Sequence, residues 1–207
     1  MLFILTGDIR SGKTRWLSRL VEELGEAGVV CYGALAPGIW ERHTESGEPS
    51  YEKLGIENIL LPQNERIPFA TRIDRVPGPD AYAQAGQSKA AKLGWVIPDA
   101  TIRQVNNHFQ DIKAKAQHKR TVPLCCANGF LVVDELGKLE IEKGQGIDVA
   151  VSLLEAGPTP LYQHALIVVR DTLLEGAIKR FAGAWPEMRE VYPTPDCAAL
   201  ILEALLG

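Results

Sequence analysis

Gly7-Asp8-Ile9-Arg10-Ser11-Gly12-Lys13-Thr14 satisfies the spacing G-x-x-x-x-G-K-[ST] at every fixed position. That spacing suits phosphate chemistry. Gly7 and Gly12 permit the tight turn that aims successive backbone N–H groups inward, which makes the loop a nest for anionic oxygens. Lys13 brings an ammonium group to the β- and γ-phosphates, and the Thr14 hydroxyl is a hard oxygen ligand for Mg²⁺. Far along the chain, Asp134-Glu135 ends the apolar run Phe130-Leu131-Val132-Val133. An aspartate at the C-terminal tip of a parallel strand faces the crevice in which open α/β sheets bind ligands, so Asp134 is expected to hold Mg²⁺ through water. Glu135 is then expected to orient and deprotonate a water that attacks the terminal phosphate. The competing role for both carboxylates is to start a following helix, a position that favours acidic side chains. Arg170 follows the apolar run His164–Val169 at the same sheet edge and is a candidate sensor of the γ-phosphate; its alternatives are pairing with Asp171 or a helix-start role.

The elements that position these groups alternate between two periods. Leu2-Phe3-Ile4-Leu5-Thr6 reads as a fully buried strand, and the stretch from Thr14 to Glu26 spaces Trp16, Leu17, Leu20, Val21 and Leu24 as one helical face. A turn at Gly25 to Gly28 leads to the strand Val29–Leu35, which completes a β-α-β unit. From Pro37 to about Pro98 the pattern changes. Gly38, Gly47, Pro49, Gly55, Pro62, Pro68, Pro77, Gly78 and Pro79 punctuate short runs such as Tyr51–Leu54 and Asn58–Leu61, which predicts β-hairpins and loops in an insertion or lid. Trp40, Arg42, His43, Arg66, Arg72 and Arg75 in this stretch suit base stacking or phosphate contacts, against an ordinary role on the hairpin surface. The alternation resumes with a helix over Ala100–Gln117, carrying Ile102, Val105, Phe109 and Ile112, then the acidic strand. A helix at Gly146–Ala156, the strand His164–Val169, a helix at Leu173–Phe181, a short strand around Val191 and a helix at Asp196–Leu206 follow. The expected fold class is α/β: a three-layer fold with a mainly parallel sheet flanked by helices, in one domain over 1–207 with the insertion at about 37–98.

Composition narrows the function classes. Apolar residues make up 46% and charged residues 23% of the 207, which is ordinary globular usage rather than a disordered or fibrous class. A formal charge of −4 gives no support for broad binding to nucleic acid, and none is expected. The basic stretch Lys113, Lys115, His118, Lys119, Arg120 reads as a solvated helix end. Cys31, Cys125, Cys126 and Cys197 form no C-x-x-C pair; Cys31 and Cys197 read as small hydrophobes, which fits a reducing cytoplasm. No apolar run reaches membrane-span length and no leader pattern opens the chain, so a soluble cytoplasmic protein without membrane contact is expected.

Gly7 to Thr14, the Tyr32-Gly33 strand before a hairpin region, Trp95-Val96-Ile97 before a long helix, and Val132-Val133-Asp134-Glu135-Leu136-Gly137-Lys138-Leu139-Glu140 together resemble the THEP-type nucleoside-triphosphatases. That family's acidic motif reads D-E-I-G-K-M-E, against D-E-L-G-K-L-E here. The resemblance implies a P-loop domain of the RecA-like branch, Mg²⁺-dependent release of phosphate from ATP, GTP and other nucleoside triphosphates, and broad tolerance of the base. Two positions depart from the family loop, which has Gly at Arg10 and Thr at Arg15. Arg10 adds positive charge to the loop, where it strengthens phosphate binding, stabilises developing charge or points outward. Spacing alone assigns no mechanism to Lys138 and Glu140.

The expected function is hydrolysis of the γ-phosphate of ATP, GTP and other triphosphates, with Lys13 and Arg170 countering charge, Thr14 and Asp134 holding Mg²⁺ and Glu135 activating water. One alternative is a small-molecule or nucleotide kinase whose 37–98 segment binds an acceptor hydroxyl. The other is a nucleotide-controlled binding module with slow hydrolysis and a protein partner that the residues do not identify.

Overall fold

Leu2, Phe3, Ile4 and Leu5 are all fully buried, as a strand covered on both faces requires, and together they form β1 (Leu2–Leu5). The computed structural model describes residues 1–8, 11–45, 48–76, 78, 83–118 and 129–207. Among these, nine strands form one sheet in the order β6-β5-β4-β2-β7-β8-β1-β9, with β3 also paired to β4. Five neighbouring strands run parallel: β2 (Val30–Leu35), β7 (Gly129–Leu136), β8 (His164–Val169), β1 and β9 (Met188–Val191). Beyond β2 the pairing turns antiparallel through β4 (Glu48–Leu61), β5 (Glu65–Arg72) and β6 (Trp95–Val96), with β3 (Gly38–Glu45) on the far half of β4.

Because successive strand residues point to opposite faces, the sheet builds two cores. Phe3, Leu5, Phe130, Val132, Leu166 and Val168 face Leu17, Leu20 and Leu24 of α1 (Lys13–Glu26) and Ile201 of a C-terminal helix (Pro195–Leu206). Leu2, Ile4, Leu131, Val133, Ala165 and Ile167 face the other way. There they meet a long helix (Asp99–His118) through Val105, Phe109 and Ile112, a second helix (Asp148–Ala156) through Leu153 and Leu154, and a third (Asp171–Phe181) through Ala177 and Phe181. Among the described residues the α-helices are, in chain order, α1, α2 (Gly86–Ala90), α3 (Asp99–His118), α4 (Lys138–Ile141), α5 (Asp148–Ala156), α6 (Asp171–Phe181) and α7 (Pro195–Leu206). Each fully buried Leu or Phe contributes about 1.5–3 kcal/mol, so the helical stripes read in the sequence hold these layers together. A smaller apolar cluster of Ala36, Ile56, Ala70, Ile97, Ile102 and Leu139 joins the antiparallel strands to α3 and α4.

The 37–98 segment differs from the short runs expected of it. Tyr51–Leu54 and Asn58–Leu61 belong to one strand of 14 residues, β4, which takes β3 along its first part and β2 along its last. The β4–β5 register is irregular between Ile56 and Glu57, a feature that alternation of residue types does not reveal. The acidic strand is also longer than its apolar run and continues through Asp134 and Glu135 to Leu136. Gly47, Pro77, Pro79, Lys119, Arg120, Cys125 and Cys126 lie outside the described residues. No helix among the described residues is long and apolar enough to cross a membrane.

Gly33 sets the closeness of β2 to β7. Its φ is +119°, and a Cβ there would lie 1.9 Å from the Val132 carbonyl oxygen, an impossible contact with rigid backbone. Gly33→Ala is expected to destabilise the protein by about 2–4 kcal/mol in denaturant unfolding, because the strand carrying Asp134 must move to admit one methyl group.

Candidate functional site

The phosphate-loop sequence lies at the C-terminal tip of β1 and runs into α1. Gly7 and Gly12 have φ of +128° and +86°, backbone that side-chain-bearing residues avoid, and Gly12 is the N-cap of α1. No side chain caps that helix and its first turn carries no acidic residue, so the positive end of its dipole is uncompensated. Lys13 folds back on the loop, donating to the Gly7 carbonyl at 2.6 Å, the Asp8 carbonyl at 2.8 Å and Ser11 Oγ at 3.4 Å. Ile9 and Arg10 lie outside the described residues.

Asp134 stands across from this loop at the tip of β7. It is 4% exposed and accepts from the Ala36 N–H at 2.9 Å and from Thr14 Oγ1 at 3.4 Å. Burial, aided by the charge of Glu135, pushes its carboxyl up to about 7, against the Ala36 N–H, the Thr14 hydroxyl and Lys53, which favour the anion. A carboxylate held so far from water lacks counter-charge, and beside it the Thr14 hydroxyl offers a second hard oxygen. Both donors fit a small divalent cation such as Mg²⁺.

Glu135 is exposed to the cleft and adopts φ of +61°. At that point the β7–β8 register slips between Val133 and Leu136, so the strand bulges outward at the glutamate. Neither acidic residue starts the following helix: Gly137 is the N-cap of α4, and Glu140 at its third position accepts from the Gly137 N–H at 2.9 Å. Glu140 also accepts from the Ile147 N–H at 3.1 Å, and burial raises its carboxyl pKa. Its place in the D-E-L-G-K-L-E run therefore has a structural reason: it fastens the turn immediately after Glu135. The signal was the Gly-x-x-Glu spacing of a cap.

Arg170 is exposed at the tip of β8 and lines the cleft. Pairing with Asp171 is not seen among the described residues, whereas the helix-start position is: Arg170 is the N-cap of α6, and its carbonyl accepts from the Leu173 N–H at 2.8 Å. Asp171 instead accepts from Thr6 Oγ1 at 2.6 Å and from the Gly7 N–H at 2.8 Å, and these bonds, the Thr6 one foremost, hold its carboxyl below the usual range. It thereby anchors the entrance of the phosphate loop to the start of α6, a role that an acidic residue in a helical first turn conceals in the sequence.

Ser11, Lys13, Thr14, Asp134, Glu135 and Arg170 share one open cleft of about 1440 Å³. Its opposite wall is the antiparallel half of the sheet, including Trp40, His43, Lys53, Arg72, Arg75 and Trp95. Arg72 pairs with Glu52 and Asp74, Arg75 with Glu52, and Arg66 with Glu57. Glu41, His43 and Glu52 bring three ligand atoms within 4.8 Å of one another, but both Glu52 oxygens already accept from arginines, so the cluster is an ion-pair network.

The pH dependence of stability follows from Asp134. A carboxyl whose folded value is raised from 3.8 to about 7 contributes fully below 3.8, and that contribution is lost as pH rises through 7. Asp134→Asn, unfolded by denaturant in chelator, is expected to gain on the native protein between pH 4 and 7 by about 2–4 kcal/mol and to gain nothing further above. Left-handed backbone at Glu135 costs about 1–2 kcal/mol. Glu135→Gly should therefore melt a few degrees higher than Glu135→Gln, an order that thermal unfolding of the two variants checks.

No family model matches the chain, and no curated protein sequence matches it. Among solved structures, the solution structure of a human cancer-related nucleoside triphosphatase is similar, with a TM-score of 0.52 and 17% sequence identity over 99% of this chain and 94% of that chain. With the sheet order and the loop geometry above, this likeness shows that the chain has the fold of a P-loop NTPase.

Proposed function

We propose that this protein is a Mg²⁺-dependent nucleoside-triphosphatase that releases the γ-phosphate of ATP, GTP and related triphosphates. One observation carries the reading: the loop with Lys13 and Thr14 and the strand tip with Asp134 and Glu135 open on a single cleft. The uncompensated end of α1 and the Lys13 ammonium favour the triphosphate, with Lys13 exchanging its two loop carbonyls for phosphate oxygens. Thr14 and Asp134 would hold Mg²⁺, which when bound would neutralise charge on the phosphate oxygens. Glu135 accepts the proton of the attacking water, and Arg170 counters charge from the β8 tip. The name of the similar structure supports this reading. Recognition that runs mainly through the phosphates would accept several bases.

A second reading, transfer to an acceptor hydroxyl, draws on the size of the cleft, which exceeds the roughly 300–1000 Å³ usual for a small-molecule site. Phosphate release from ATP, GTP, CTP and UTP, with binding followed in parallel, separates the two. Lys13→Ala is expected to lose binding and turnover together. Glu135→Gln is expected to keep its affinity and lose about 100-fold or more in turnover. Native protein that binds triphosphates yet releases phosphate solely as an acceptor is consumed would replace hydrolysis by the kinase reading.

A further inference from the structure

Lys53 differs from Arg72 and Arg75 on the same side of the cleft. Arg72 and Arg75 are engaged by Glu52 and Asp74, whereas no described ion pair includes Lys53. The side chain is half-buried on β4, with its ammonium 5.3 Å from the centre of the Trp95 ring on β6. Trp40 is its cross-strand partner, and both side chains converge on Gly38, where an added Cβ would lie 2.7 Å from Lys53 Cε and 2.7 Å from Trp40 Nε1. A lysine stem held this way has already lost much of its rotamer freedom, and the tryptophan face keeps its charge without neutralising it. Lys53 also lines the cleft that holds Thr14, Asp134 and Glu135, and its charge is felt at Asp134.

We propose that Lys53 is a catalytic cation supplied in cis by the antiparallel wall, contacting the terminal phosphoryl oxygens from the side opposite Lys13. This assignment rests on the triphosphatase reading. In the reaction the water oxygen forms a bond to the γ-phosphorus, the bond from phosphorus to the bridging oxygen breaks and its electrons leave with the nucleoside diphosphate. The water proton passes to Glu135. Lys53 keeps its protons throughout and meets the negative charge that builds on the phosphoryl and bridging oxygens, which makes it worth more in the transition state than in the bound substrate. The wall that carries it is built from the strands read as hairpins in the sequence, which gives that segment a chemical role.

Lys53→Met keeps the length of the stem and removes the charge. It is expected to lower kcat by about 100-fold while changing KM by no more than about 3-fold, and Lys53→Arg should restore part of the loss. The second readout is binding: native protein should hold the nucleoside diphosphate more tightly when fluoroaluminate is present, and Lys53→Met should lose that gain while binding the diphosphate alone as before. Unchanged kcat in Lys53→Met, or an equal loss of diphosphate affinity with and without fluoroaluminate, would overturn the role of Lys53 and leave the triphosphatase reading intact. Absence of phosphate release from the native protein would remove that reading, and this role with it.

Discussion

The burial of one carboxylate organises the cleft. Asp134 is shut away from water at the tip of the central strand β7, held by one backbone N–H and, more loosely, by the Thr14 hydroxyl. An anion there is costly unless a positive charge joins it, and the groups that favour it, Ala36, Thr14 and Lys53, do not offset desolvation. Each comes from a different element: the end of β2, the start of α1 and the middle of β4. The parallel half of the sheet therefore brings the phosphate loop and the acidic strand to one edge, and the antiparallel half closes the far side.

Conformational strain and its restraint occupy the same edge. Glu135 sits in left-handed backbone where the β7–β8 register slips, and Glu140 ties down the turn that follows with two backbone hydrogen bonds. On the other side Asp171 grips Thr6 and Gly7, so the entrance of the phosphate loop is fixed to α6. The role proposed for Glu135 needs such support, because its own backbone conformation is unfavourable.

Much of this was legible in the residues. The turn from β1 into α1 at Gly7 and Gly12, the helical stripe of Leu17, Leu20 and Leu24, and the apolar run ending in Asp134 follow from spacing alone, since glycine turns, buried strands and amphipathic helices leave strong signals. What escaped depends on contacts between distant parts of the chain. Asp171 looks like a helix-start residue until Thr6 and Gly7 are seen against it, and Glu140 has no evident task until Ile147 folds onto it. The left-handed turn at Glu135 is set by the sheet rather than by local preference, since glutamate gives no hint of it. The sequence predicts separate runs in place of β4 because Gly55 interrupts the pattern of one long strand, and the irregular register beside Ile56 leaves no mark in residue types.

The arrangement of Glu135 against the phosphate loop predicts that water is the acceptor of the terminal phosphoryl group. Hydrolysis of ATP in water enriched in oxygen-18, with mass analysis of both products, tests this most directly. One labelled oxygen in each released phosphate and none in the diphosphate is the expected result, with the labelled phosphate lost in Glu135→Gln. Label in the diphosphate, or phosphate released without label, would contradict attack by water on the γ-phosphorus.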